Sequence, residues 1–243
     1  MVIATQPPGV TAPRVVDRDG PLPYLLLVLT LVTGLVDAVS YFTLGHVFVA
    51  NMTGNVVFLG FAVAGAADFS IAASLVAILA FLAGALAGGR LGSSAGHHRG
   101  RLLALALVIE IVLVSAALIV SMNAGSAGDA AGRYPLILLL ALAMGVQNAT
   151  ARRLGVADLT TTVLTLTLTG LAADSTLAGG SNPRPGRRVV ATMTMFLGAA
   201  IGAFLVFHFG PGAALVLTSG LLLLNGIASW RASLSSAEWT IAS

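Results

Sequence analysis

The chain has no cysteine and no lysine, and only 9% of its 243 residues are charged. Without cysteine it has no disulfide framework, no thiolate nucleophile and no zinc-finger-type site. The scarcity of charge excludes more. A soluble domain is about 25% charged and about 45–50% apolar, whereas 57% of these residues are hydrophobic and the mean hydropathy is +0.98. Twelve arginines and nine acids cannot coat a water-soluble body of this length, so lipid must be the solvent for much of the surface. The first twenty residues are polar and proline-containing, with no short apolar core before a small-residue cleavage site. They read as a tail (1–21) and not as a cleaved signal.

The sequence pI near 10.2 invites a nucleic-acid reading. The arginines are scattered through connecting segments, however, and form no continuous basic patch, so no nucleic-acid partner is expected.

What is present is a series of long apolar runs. Eight stretches stand out, at 22–41, 47–67, 69–89, 102–122, 134–151, 159–178, 189–209 and 212–230. The fourth contains one charge, Glu110, and the seventh none. About 20 residues at 1.5 Å each cross the hydrocarbon core, so such runs read as spanning helices. Gly-, Ser-, Asn- and Pro-rich segments at 90–101, 123–133 and 179–188 read as loops, and Gly210-Pro211-Gly212 as a tight turn. Tyr134 and Trp230 stand at run ends, where aromatic rings favour the membrane interface.

Arginines near span ends prefer the cytoplasm, which ranks the topologies. If all eight stretches cross, Arg152 and Arg153 fall opposite Arg184, Arg187 and Arg188. If the second and sixth instead dip in and return, eleven of twelve arginines share the cytoplasmic side with both termini. A seven-span arrangement, with the second stretch crossing and the amino terminus outside, misplaces only Arg14 and Arg18, so charge alone leaves it open.

An internal duplication favours six spans. Gly34-x-x-Asp37-Ala38 is echoed 111 residues later by Gly145-x-x-Asn148-Ala149, and Gly84-x-x-x-Gly88 by Gly198-x-x-x-Gly202 at 114. The polar run 51–55 falls opposite 163–167. Three spans per copy is odd, so the second copy (about 134–231) must enter the membrane inverted relative to the first (about 22–122), an arrangement that recurs in transporters and channels. The expected fold is all-α: six transmembrane helices plus two short re-entrant or interrupted segments in one membrane domain at 22–231, followed by a tail at 232–243. From Val163 onward threonine alternates with leucine at a period near two, which argues against a regular helix there.

The runs Gly34-Leu-Val-Asp37-Ala-Val-Ser-Tyr41, Leu44-Gly45-His46-Val-Phe48 and Asn51-Met-Thr-Gly-Asn55 resemble the YoaK family, as do Gly145-Val-Gln-Asn148-Ala, Arg152-Arg153-Leu-Gly155 and Thr161-Thr162. The second set departs from the family pattern at Leu166, where a glycine usually follows the threonine. The resemblance implies a bacterial multi-pass protein of the cytoplasmic membrane, from a group classed as a domain of unknown function. It carries no substrate and no catalytic residue.

The candidate binding residues are Asp37, Asn51, Thr53, Asn55, Gln147, Asn148, Thr165 and Thr167. An aspartate within a spanning helix costs about 2.5–3.5 kcal/mol on insertion scales and so faces a cavity or a partner. Asp37 either binds a solute or coupling ion, or caps the break before Gly45; Asn148 keeps its shape without its charge. Asn51, Thr53 and Asn55 suit either the N-cap of a half-helix or a binding site at its exposed N–H groups. Glu110 is either a proton carrier or a partner for a neighbouring helix. The adjacent pair His97-His98 does not share a helix face, so no metal site is expected, and no cofactor either. Gly92-Ser-Ser-Ala-Gly96 matches G-x-S-x-G but lies in an expected loop between spans, away from the strand–turn–helix that motif needs. Three functions remain. A transporter or channel for a small solute fits the inverted repeat. An enzyme would need a paired nucleophile and base, which are not evident. A scaffold, or a homo-oligomer, would use the glycine-rich faces.

Overall fold

The computed structural model describes residues 18–123, 130–162, 164–181, 184–235 and 237–241. Most of the expected amino-terminal tail, and Arg14 with it, lies outside these residues, as does Val163. The described chain is helical: α1 Leu22–Thr43, α2 Met52–Val63, α3 Ile71–Ala95, α4 Arg99–Asn123, α5 Ala130–Leu154, α6 Leu164–Ala173, α7 Pro185–Phe209 and α8 Pro211–Ser233. Six of these are long and apolar enough to cross a membrane, and α2 and α6 are not. At 12 and 10 residues they reach about 18 and 15 Å, against a hydrocarbon core of about 30 Å.

The bundle is apolar on its outer surface as well as in its core. Leu75, Leu79, Leu82 and Leu86 form an exposed stripe on α3, and Val189, Met193, Phe196 and Phe204 one on α7. Spacings of three or four residues on α3, and of four, three and eight on α7, each trace one helix face, turned outward to lipid. The spans α1 and α5 are the most enclosed. Threonines inside α1 return their hydroxyls to the preceding turn, Thr30 to Leu26 O and Thr33 to Leu29 O, so these hydroxyls are satisfied without water.

Contacts at the helix ends fix the threading. Asp19, just before α1, bridges Arg99 at the start of α4 (3.2 Å) and Arg187 near the start of α7 (3.4 Å). Arg99 also donates to the Leu154 carbonyl at the end of α5. Gly92, near the end of α3, faces the Arg153 side chain, and Trp239, beyond α8, packs against Gly20 and Gly100. The starts of α1, α4 and α7 therefore gather with the ends of α3, α5 and α8. At the opposite end Gly45 lies beside Arg133, His46 Nδ1–H donates to the Asp68 carbonyl (3.1 Å), and Phe42 meets Phe207. The segment holding α2 thus leaves and rejoins one end of the bundle, and the segment holding α6 leaves and rejoins the other. Neither crosses, and the seven- and eight-span arrangements fail for that reason.

Four glycines form the seams. A Cβ on Gly84 would overlap the Leu142 carbonyl oxygen, and one on Gly198 the Leu31 carbonyl oxygen. At Gly88 it would meet Val146 and Ala149, and at Gly202 Leu35 and Ala38, each at 2.9 Å. So α3 lies against α5 as α7 lies against α1, backbone to backbone. The glycine faces expected to suit association between copies are used within the chain. The other neighbours correspond as well: α5 packs on α4 as α1 on α8, and α2 on α3 as α6 on α7.

Two local expectations are corrected. The 90–101 loop is largely helix, because Gly92 lets α3 run close beside Arg153; Gly92-Ser-Ser-Ala closes α3 instead of forming a loop, which leaves the G-x-S-x-G match equally without its strand. The Leu/Thr alternation at 164–169 is helical, with Leu166 and Leu168 exposed and Thr167 buried. The turn at Gly210 is as expected, its φ of 82° suiting glycine between α7 and α8.

Candidate functional site

The two short helices start beside one another. Between the start of α2, the start of α6, α3, α5 and α7 lies a cavity of about 620 Å³ whose lining includes Asn51, Thr53, Asn148, Thr162, Thr165, Phe81 and Met195. A second space of about 770 Å³ adjoins it, sharing Phe81 and Asn148, and runs past Thr160 and Ser93 to Arg152 and Arg153 at the arginine-rich end.

Each start is shaped by a side chain on a central span. Asp37 of α1 accepts N–H bonds at Oδ1 from Val49 (3.2 Å) and Ala50 (2.9 Å), turning the chain into α2. Asn148 of α5 donates to Met144 O (2.8 Å) and accepts from the Thr162 hydroxyl, which precedes α6. Asn51 stands at the N-cap of α2 but makes no side-chain capping bond, so its amide is available to the cavity. Both helices direct their N-terminal ends, with unpaired N–H groups and partial positive charge, toward this region.

Of the eight residues proposed from sequence, the structure brings together Asn51, Thr53, Asn148 and Thr165. Asp37 and Asn55 lie behind them as builders of the loop. Asn55 is fully buried, accepting from Phe48 N–H (2.8 Å) and donating to the Phe48 carbonyl. Gln147 points into the core, donating to Thr33 Oγ1 (2.8 Å) and Leu29 O (3.4 Å). Thr167 lines a small separate void with Thr30, Asp158 and Thr161. Glu110 is fully buried in α4, and neither carboxyl oxygen has a hydrogen-bond partner among the described residues.

Sequence reasoning missed three features. Thr162 lies 111 residues after Asn51, so the repeat offset would have placed it opposite. Phe81 and Met195, 114 apart, line the same cavity from α3 and α7. Arg188 binds Asp158 (3.0 Å), Asp174 (2.9 Å) and the Gly170 carbonyl, tying α6 to α7. It entered the sequence reading only as a topology marker. The matching anchor of α2 is aromatic: Phe58 stacks on Phe48 and Phe69 at 5.6 and 4.9 Å between centroids, and Tyr41 stacks on Phe48 at 5.3 Å.

A family described as a protein of unknown function (DUF1275) matches residues 25–228. The chain belongs to this family. It is also 35% identical over 150 residues to the UPF0700 transmembrane protein YoaK of Bacillus subtilis (strain 168), a match covering 62% of this chain and 65% of that protein. No solved structure matches. With six apolar spans, the chain is an integral multi-pass membrane protein of that family.

Proposed function

We propose that the protein is a carrier or channel for a small polar solute, built as an inverted repeat of α1–α4 and α5–α8. The cavity where α2 and α6 begin carries the reading. Its polar lining comes from both copies, Asn51 and Thr53 from the first, Asn148 and Thr165 from the second. Equivalent glycine seams and equivalent helix neighbours support the repeat. Two helix N-termini at one cavity, with Arg152 and Arg153 on its approach, favour a solute that presents acceptor or anionic groups. The lining offers amide, hydroxyl and guanidinium groups, which suit binding more than bond cleavage, so we read the protein as a carrier and not an enzyme. By the arginine bias the end holding Arg99, Arg152, Arg153 and Arg187 faces the cytoplasm, with both termini, in a bacterial inner membrane.

The test is uptake into proteoliposomes of a panel of amino acids, hydroxy acids, sugars and inorganic anions, comparing the native chain with Asn148→Leu. The reading expects at least one solute to enter about ten-fold faster than through protein-free liposomes, with loss in the variant. Background flux across the whole panel, with Asn51→Cys unreactive toward an impermeant thiol reagent from both sides, contradicts it.

A further inference from the structure

The two ends of the bundle treat the cavity differently. Toward the arginine-rich end the cavity adjoins the second space, walled by Ser93 on α3 and Arg152 and Arg153 on α5. The repeat offsets carry these three onto Phe207 on α7 and Tyr41 and Phe42 on α1. At those positions stand rings in contact: Phe42 lies 4.6 Å from Phe207, and Tyr41 5.3 Å from Phe42. The rings continue inward, Tyr41 stacking on Phe48 and Phe48 on Phe58, and Phe58 itself lines the cavity. A string of five aromatic rings in contact therefore runs from the cavity toward the end opposite the arginine-rich one, whereas the equivalent positions in the other copy line the second space.

We propose that Phe42, Phe207, Tyr41, Phe48 and Phe58 form a gate, closed in this structure, between the cavity and the end opposite the arginines. The inference deepens the transport reading on which it rests. Because the Phe42–Phe207 contact joins α1 to α7, along the Gly34–Gly198 seam, opening requires α7 to shift on α1. Aromatic pairs of this kind hold weakly enough to open and strongly enough to bias a two-state element.

The natural absence of cysteine permits a direct test. Asn51→Cys reports on the cavity, with Ala157→Cys and Asp68→Cys as references for the two ends. Each is treated with an impermeant methanethiosulfonate reagent in right-side-out and in inverted vesicles. Asn51→Cys is expected to react from the Ala157 side only. Adding Phe42→Ala and Phe207→Ala is expected to raise its reaction from the Asp68 side by about ten-fold or more. Phe42 and Phe207 are 46% and 64% exposed, so the alanines remove less buried surface than substitutions of core residues would. If that pair fails to accumulate in the membrane, Phe58→Leu tests the same path from within. Equal reaction from both sides in the native background, or no change in either variant, overturns the gate. Reagent access that changes sides while the solute panel gives no flux upholds the gate and removes the transport reading. Flux with unchanged access does the reverse.

Discussion

At the scale of single residues, Asp37 and Asn148 do the same work with different groups. Each sits on a central span and holds the chain that leads into a short helix, Asp37 through the Val49 and Ala50 N–H groups and Asn148 through Thr162. An oxygen acceptor is what the α2 loop requires. Asp37→Asn should therefore fold with near-native thermal stability in detergent. Asp37→Leu leaves two buried N–H groups unpaired, at about 1–3 kcal/mol each, and should unfold well below it. Equal losses in both variants would mean that the charge itself holds the loop. Arg188 poses the matching question for α6, since Asp158, Asp174 and the Gly170 carbonyl all converge on it. Arg188→Met should speed amide exchange across 164–173 by about ten-fold while α2 stays protected; unchanged exchange would show that α6 is held by packing alone. The motif spacing made Asp37 and Asn148 legible. Arg188 was not, because its partners at 158 and 174 are brought to it by the return of the chain and not by local periodicity.

At the scale of elements, the glycines decide which helices pair. The sequence shows that Gly84-x-x-x-Gly88 and Gly198-x-x-x-Gly202 permit close approach but not against what, since any smooth helix face would serve. The structure pairs them with α5 and α1 through carbonyl oxygens that leave no room for a methyl. Gly84→Ala and Gly198→Ala should each destabilise by about 1–3 kcal/mol, the usual cost of overpacking, read as a fall in detergent melting temperature. Gly89 on α3, with open space around its missing Cβ, is the control, and Gly89→Ala should be neutral or slightly stabilising. Similar losses at all three positions would point to helix propensity or insertion as the cause. Element ends were the least legible part. Gly92 and Ser93 read as a loop by composition yet finish α3, and alternating Leu/Thr reads as extended yet forms α6. Gly92 is buried against Arg153, whereas in α6 only Thr167 is buried and the helix is tied to α7 through Arg188 and the Gly170 carbonyl.

At the scale of the whole molecule, a multi-pass helical membrane protein follows from composition and run length, and the structure has six helices long and apolar enough to cross. Charge bias separated the eight-span arrangement from the others but not six spans from seven, because the deciding facts are contacts at helix ends: Asp19 with Arg99 and Arg187 at one end, His46 with Asp68 at the other. By these contacts α2 and α6 enter from opposite sides, and each returns to the side it left. The most direct test of this opposed entry is thiol labelling of single cysteines placed at Thr43, Asp68, Ala157 and Leu177 in intact cells, with an impermeant reagent and with permeabilised cells as the reference. Thr43 and Asp68 should label together from outside, while Ala157 and Leu177 should both be protected until the membrane is opened. If Thr43 parts from Asp68, or Ala157 from Leu177, that short helix crosses, and the opposed entry on which the shared cavity depends is wrong.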